Sequence, residues 1–343
     1  MQVNTSMNDA LNATADTVDP VAYIFNSAVA ASAIGAAWEL GILDALQANG
    51  TLELPQFAAE HGLDPQSTLG LARALAAVDI VERIDTKVMP GGNFADAYRN
   101  RSFFHWLTRG SAELFRRMPD VARTANRTGE FYQRDAAAIA YACKEISELT
   151  YDPWFWDAID GLASSPAVVA DLGCGSGTRI LQLLDRFPAA RALGIDVAEP
   201  ALAVAADATA KAGLTEKVTL IADDVLTMAA RPEFAEVELL TCFMMGHDFW
   251  PRQRCVATLR RVAALFPSAN TFLLGDATRS TGVADKDLPV FALGFELAHD
   301  LMGTFIPTIA DWESVFAEGG WRLREQHRIG IAVGEVIFEL ERA

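Results

Sequence analysis

One glycine-rich turn constrains this chain more than any other feature. The apolar run Val168-Val169-Ala170-Asp171-Leu172 feeds Gly173-Cys174-Gly175-Ser176-Gly177, and helical periodicity follows from Arg179 to Phe187. A short β-branched apolar run reads as a buried strand, and alternating glycines let a ligand lie against bare backbone. A dinucleotide fingerprint reserves its sixth position for glycine, and here Thr178 stands there. What remains is Asp171-x-Gly173-x-Gly175-x-Gly177. Two more apolar runs end in acid, Ala192 to Asp196 and Val218 to Asp223-Asp224. A carboxylate about 20 residues beyond such a loop is placed to take ribose hydroxyls. Further strands are expected at 237–243 and 271–276, a helix at 251–266, and two closing strands at 321–329 and 333–340. The fold class is α/β, with ligands at the carboxyl ends of the strands.

Composition narrows the function classes. The chain has 51% hydrophobic residues, enough to bury a full core, and a net charge of −17. Such an acidic surface does not suit a phosphate polymer or an anionic membrane. Four cysteines, Cys143, Cys174, Cys242 and Cys255, form no C-x-x-C pair, so neither a disulfide framework nor a thiolate zinc site is expected, and a reducing cytoplasm fits. Residues 1–19 read as a flexible polar tail without the features of a signal peptide.

Residues 20–100 read as a helical domain. The stretch Val21 to Leu46 is rich in Ala, Gly and Ser and is interrupted by Asn26, Glu39 and Asp44, so it is not expected to span a membrane; its small residues suit buried core or a subunit interface equally. A short helix at 54–62, a helix starting at Asp64-Pro65 and a small hairpin at 80–88 give the outline of a winged helix. From Thr51 to Asn100 only four basic residues stand against seven acidic ones, which favours dimerisation over DNA binding. Residues 101–160 read as a helical linker that contributes to a substrate pocket, and 161–343 as the catalytic domain. Between Arg99 and Arg134 eight arginines face three acids. Most fit a solvated helix face, but Arg127 sits in the loop-like Asn126-Arg127-Thr128-Gly129, where a guanidinium offers two-pronged recognition of a carboxylate.

The Asp171 loop resembles the first motif of class I S-adenosylmethionine (SAM) methyltransferases. That resemblance makes Asp171, Gly173, Gly175, Gly177, Asp196 and Asp223 the cofactor-binding residues, with Asp223 toward the adenine amino group. A winged-helix-like part, a SAM fold and His247-Asp248 directly after the fourth strand together resemble the dimeric small-molecule O-methyltransferases, whose matching histidine is a general base. A second pair, His299-Asp300, follows 52 positions later. Two imidazoles with a carboxylate suit a divalent metal with open positions. Asn126 to Gly129, Phe131 to Asp135, Met245 to Trp250, Leu288 to Phe291 and His299-Asp300 look like the α-keto acid C-methyltransferases that supply nonribosomal peptide precursors.

By that resemblance His247 and His299 hold a non-heme iron or another divalent ion (Ni, Co, Mn or Zn) and Arg127 takes the substrate carboxylate; enolisation at C3 also requires a general base, for which Asp248 or Asp300 could serve, directly or through a metal-bound water, with Asp248 preferred. The expectation is a cytoplasmic homodimer acting on a small α-keto acid, with neither nucleic acid nor membrane as partner. The alternatives are a metal-free O-methyltransferase with His247 as base and a non-catalytic SAM-binding regulator.

Overall fold

The computed structural model describes residues 19–329 and 334–343. The expected tail therefore lies outside the described residues, apart from Asp19. The chain divides into two compact units, Met1–Arg109 and Gly110–Ala343. The segment read as a linker falls in both, residues 101–109 in the first and 110–160 in the second.

The first unit holds α1 (Pro20–Glu39), α2 (Ile42–Asn49), α3 (Leu54–Glu60), α4 (Pro65–Ala76), α5 (Phe94–Arg99) and α6 (Arg101–His105). Its strands β1 (Leu52–Glu53), β2 (Val81–Ile84) and β3 (Lys87–Pro90) form an antiparallel sheet in the order β1-β3-β2. The α4 start was legible: Asp64 accepts from the Ser67 N–H at 2.7 Å, and Pro65 opens the first turn. Trp38, Leu43, Leu46, Phe57, Leu75, Val88 and Phe94 make the core. Helix α1 is buried in one part and exposed in another. Ala30, Ala33, Ile34 and Ala37 are buried, whereas Val21, Tyr23, Ile24 and Phe25 are exposed. By length and composition alone, α1 is long and apolar enough to cross a membrane.

The second unit holds α7 (Ala112–Arg116), α8 (Met118–Val121), α9 (Ala136–Ile146), α10 (Asp152–Asp160), α11 (Thr178–Arg186), α12 (Glu199–Lys211), α13 (Arg252–Leu265), α14 (Ala292–Met302) and α15 (Ile309–Phe316). Its strands are β4 (Val168–Leu172), β5 (Arg191–Asp196), β6 (Val218–Ala222), β7 (Leu239–Phe243), β8 (Thr271–Asp276), β9 (Trp321–Ile329) and β10 (Glu335–Arg342). They form one sheet in the order β6-β5-β4-β7-β8-β10-β9. Pairings from β6 to β8 are parallel, and β10 runs antiparallel to both its neighbours.

Both faces of the sheet are covered, which explains the unbroken apolar strands. Along β4, Val168, Ala170 and Leu172 pack into one core with Phe249, Leu259, Trp312 and Trp321, while Val169 joins the opposite core with Tyr151, Phe155, Ile180 and Leu183. The chain winds outward from β4 toward β6 and, after β7, in the other direction. The strand order thus reverses between β4 and β7, and a crevice opens at their carboxyl ends.

Packing beside that crevice is tight. A Cβ on Gly275 in β8 would lie 2.3 Å from ring carbons of Phe243. Gly275→Ala is therefore expected to destabilise the fold by about 1–3 kcal/mol, read as a lower urea midpoint with an unchanged slope.

Candidate active site

The sequence-expected loop leaves β4 at the strand reversal. Gly173, Gly175 and Gly177 all adopt positive φ, at 74°, 51° and 77°. Gly173 is also constrained by space, because a Cβ there would stand 2.6 Å from Met245 Sδ. The Gly175 N–H donates to Asp196 Oδ2 at 2.8 Å, and the Ala198 N–H to Asp196 Oδ1 at 2.8 Å. One carboxylate therefore ties the loop to the end of β5. The Asp223 backbone N–H donates to the Asp196 carbonyl at 3.1 Å, and the Asp223 side chain accepts from Arg231 at 3.1 Å.

Two cavities meet here. One of about 590 Å³ is lined by Gly173, Asp196, Asp223, Asp224, Met245, Asp248 and Phe249, within the size range of small-molecule sites. The other, of about 190 Å³, is lined by Lys144, Asp152, Asp171, Gly175, Ser176, Arg179 and Gln182. Gly173, Phe243 and Met244 belong to both walls. Asp171 is buried and accepts from the Thr241 hydroxyl at 2.6 Å. Burial pushes its pKa up to about 6, against the pull of that hydrogen bond and of Arg179. The Arg179 guanidinium lies over the Phe155 ring at 4.0 Å and donates to Asp152 at 2.7 Å. Seven acids, Glu148 included, and a glycine loop thus bound a cleft that suits a ligand with a hydroxylated sugar and an ammonium group.

The two histidines singled out by sequence come together. His247 lies in the short 3-10 turn Gly246–Phe249 after β7, and His299 lies in α14. Both are buried, with ring centroids 5.2 Å apart and planes at 86°. His247 Nδ1 pairs with Asp276 Oδ1 at 2.8 Å, and His299 Nδ1 donates to the Phe295 carbonyl at 2.7 Å. A carbonyl only accepts, so His299 carries its ring proton on Nδ1 and a lone pair on Nε2. Burial draws the His247 pKa down, but the charge and hydrogen bond of Asp276 outweigh it and hold His247 above the ordinary histidine value. His299 is pushed down to about 3 by burial and by the neighbouring His247.

The other expected residues fall differently. Asp248 is exposed on the larger cavity, and its carboxylate has no hydrogen-bond partner among the described residues. Asp300 is not brought to the histidine pair: it is exposed on the other side of α14 and held by Arg279 at 2.5 Å. Arg127 corrects its expectation as well. Its guanidinium donates to the carbonyls of Leu301 at 2.9 Å, Val121 at 3.2 Å and Asp300 at 3.4 Å, so it braces the end of α14 rather than presenting an open fork to a carboxylate.

Sequence reasoning passed over Asp276, the fully buried acid that closes β8, although Asp196 closes β5 in the same manner. It also passed over Arg134, which is half-buried, acts electrostatically on both His247 and His299, and forms no hydrogen bond or ion pair among the described residues. Away from the cleft, Glu325, His327 and Glu339 gather on β9 and β10, with His327 and Glu339 2.6 Å apart and Arg324 beside them.

Comparison with known proteins gives this geometry its context. The family described as "Methyltransferase domain" matches residues 169–265. Methyltransferase ungE' of Aspergillus campestris is 50% identical over 338 residues, spanning 96% of this chain and 99% of its own. The 2-ketoarginine methyltransferase of Streptomyces arginensis is 31% identical over 156 residues, and the indolepyruvate C-methyltransferase of Streptomyces griseus is 25% identical over 166; these matches span 44% and 48% of those proteins. Among solved structures, the mitomycin 7-O-methyltransferase MmcR shares the fold at a TM-score of 0.64 and 20% identity, covering 94% of this chain and 97% of that one. With a glycine loop at the strand reversal, acids closing β5 and β6 and full-length similarity to a named methyltransferase, the chain belongs to the SAM-dependent methyltransferases of the class I fold.

Proposed function

We propose that this enzyme transfers the methyl group of SAM to C3 of an α-keto acid, with a divalent metal ion held by His247 and His299. The observation that carries this reading is the histidine pair. Two buried, perpendicular imidazoles each have Nδ1 engaged by a protein acceptor, Asp276 or the Phe295 carbonyl. Metal-binding histidines characteristically spend their second nitrogen on such an outer partner.

The donor set fits an ion in two further respects. Asp276 Oδ2 is buried without a hydrogen-bond partner among the described residues, an orphaned polar atom beside His247 that a cation there would help to balance. Two imidazole ligands would leave coordination positions for a chelating substrate. The half-length similarity to two keto acid methyltransferases points the same way.

The ion, when bound, would act as a Lewis acid on the 1-carboxylate and 2-oxo oxygens of the keto acid. The remaining work falls to side chains. Arg134 takes over the carboxylate-binding role expected of Arg127, because its half-buried guanidinium makes no hydrogen bond or ion pair among the described residues and its charge acts on both histidines. Asp248 removes a proton from C3, and the electron pair of that C–H bond becomes the C2–C3 double bond of the enolate. C3 then bonds to the sulfonium methyl as the carbon–sulfur bond breaks, with its electrons returning to sulfur in S-adenosylhomocysteine. Asp171 faces the ammonium end of SAM, and Asp196 and Asp223 face its nucleoside. The exposed apolar start of α1 is the surface a second copy would cover in a cytoplasmic homodimer, with the first unit as a winged-helix-like dimerisation domain.

A second reading rests on the His247–Asp276 pair alone. A histidine oriented by a buried carboxylate can take a proton from a hydroxyl, which makes a metal-free O-methyltransferase. Methyl transfer assayed by product mass and NMR on a panel of α-keto acids and phenols separates the two. A C3-methylated product is expected, lost on chelation and restored by Fe(II), Co(II), Ni(II), Mn(II) or Zn(II). Methylation of a hydroxyl, indifferent to chelator, would sink the metal reading and leave His247 as the base.

A further inference from the structure

Helix α14 carries His299, and two arginines from other parts of the unit hold it. The first is Arg279, three residues beyond Asp276 at the end of β8. Its Nη2 donates to Asp300 Oδ1 at 2.5 Å, and its Nη1 reaches Asp300 Oδ2 at 3.3 Å and Glu296 Oε2 at 3.4 Å. The neighbouring Ser280 N–H donates to the other Glu296 oxygen at 2.8 Å. Glu296 and Asp300 flank His299 along the helix, one turn before it and one residue after it. The second is Arg127, which donates to the Leu301 and Asp300 carbonyls at the end of the same helix. Gly303 makes room for it, because a Cβ there would lie 2.7 Å from Arg127 Nη2. A guanidinium at these carbonyls also suits the negative end of the helix dipole.

One short segment therefore does two things. Asp276 fixes the ring of His247, and Arg279 grips the helix that bears His299. Bidentate guanidinium–carboxylate pairs define direction as well as distance, which a single hydrogen bond does not. Glu296 adds weight to the grip, since its side chain is only 13% exposed. We propose that Arg279 is a positioning residue which, through Glu296 and Asp300, sets His299 in register with His247, and that Arg127 locks the far end of the helix. Its consequence for metal affinity rests on the metal reading above, whereas the register of the two rings does not.

The test uses the full chain with ¹⁵N-labelled histidine. Ring correlation spectra of the metal-free protein report His247 and His299 beside the three remaining histidines, His61, His105 and His327. Arg279→Gln is expected to shift the His299 ring signals and leave those of His61, His105 and His327 in place, and Arg279→Lys to bring them part of the way back. A Co(II) titration followed by its visible d–d bands should show affinity about tenfold weaker in Arg279→Gln, the scale of losing an outer partner at a metal site, with SAM affinity unchanged. Unmoved His299 signals in Arg279→Gln would overturn the proposal, as would Co(II) affinity equal to that of the parent. If Arg279→Gln does not fold, Glu296→Gln removes one gripped carboxylate and is read in the same way. A parent protein that binds no Co(II) would end the metal reading, and the His299 shift would still decide the positioning role.

Discussion

Asp248→Asn is expected to slow exchange of the C3 hydrogens of an α-keto acid by about 10²- to 10⁴-fold, the usual contribution of a general base, while SAM binds as before. The argument is geometric. Asp248 is the acid that follows His247 in the short turn after β7, it lines the larger cavity with Asp196 and Asp223, and its carboxylate has no hydrogen-bond partner among the described residues. An amide keeps the shape and loses the basic electron pair. Exchange followed by NMR in D₂O without SAM isolates enolisation from methyl transfer, and calorimetric SAM titration checks that the cleft is intact. If Asp248→Asn exchanged C3 hydrogens at the parental rate, the base would have to be sought elsewhere. Asp300 is the weaker candidate, because removing it also removes the carboxylate that Arg279 grips.

What could be read from sequence was the part set by local backbone demands. The glycine loop, the acids closing β5 and β6 and the strand–helix alternation are properties of short segments, and β4, β5, β6 and β8 lie within a residue or two of their expected positions. Both histidines were legible because few are present and only these two precede an aspartate. The acids themselves misled in one case. Consecutive residues on a helix point about 100° apart, so a buried His299 turns Asp300 outward, and the carboxylate that does meet a histidine comes from β8. Arg127 failed for a related reason. A loop arginine finds its partner through tertiary structure, and the Leu301 carbonyl lies 174 positions away. Arg134 lay inside the quoted segment Phe131 to Asp135 but was not singled out among eight arginines, because what distinguishes it is that it has no hydrogen-bond or ion-pair partner among the described residues.

Asp171→Asn is expected to make the protein more stable above about pH 6 and less able to bind SAM. Burial raises the Asp171 pKa to about 6 in the folded chain, from the ordinary carboxylate value of 3.8. The native state thus holds a proton that the unfolded state releases between those values, so this group's contribution to stability is full below about pH 4 and is lost as pH rises to about 6. Above that window an ionised, buried carboxylate costs on the order of 3 kcal/mol, from 1.36 kcal/mol per pKa unit. Asparagine carries no such charge and keeps an oxygen for the Thr241 hydroxyl. Melting temperatures at pH 5 and pH 8 should therefore differ less in the variant than in the parent, and the variant should melt higher at pH 8. On the proposed reading the same charge also meets the ligand, and losing a hydrogen bond to the SAM ammonium, worth about 1.5–3 kcal/mol, should weaken SAM affinity about 10- to 100-fold by calorimetry. A variant that melted lower at pH 8 and bound SAM normally would show that Asp171 serves packing, not the cofactor. A carboxylate held out of water is one whose ionised form an incoming ammonium would stabilise strongly, so the cost of burying Asp171 and its proposed service to the cofactor are two sides of one placement.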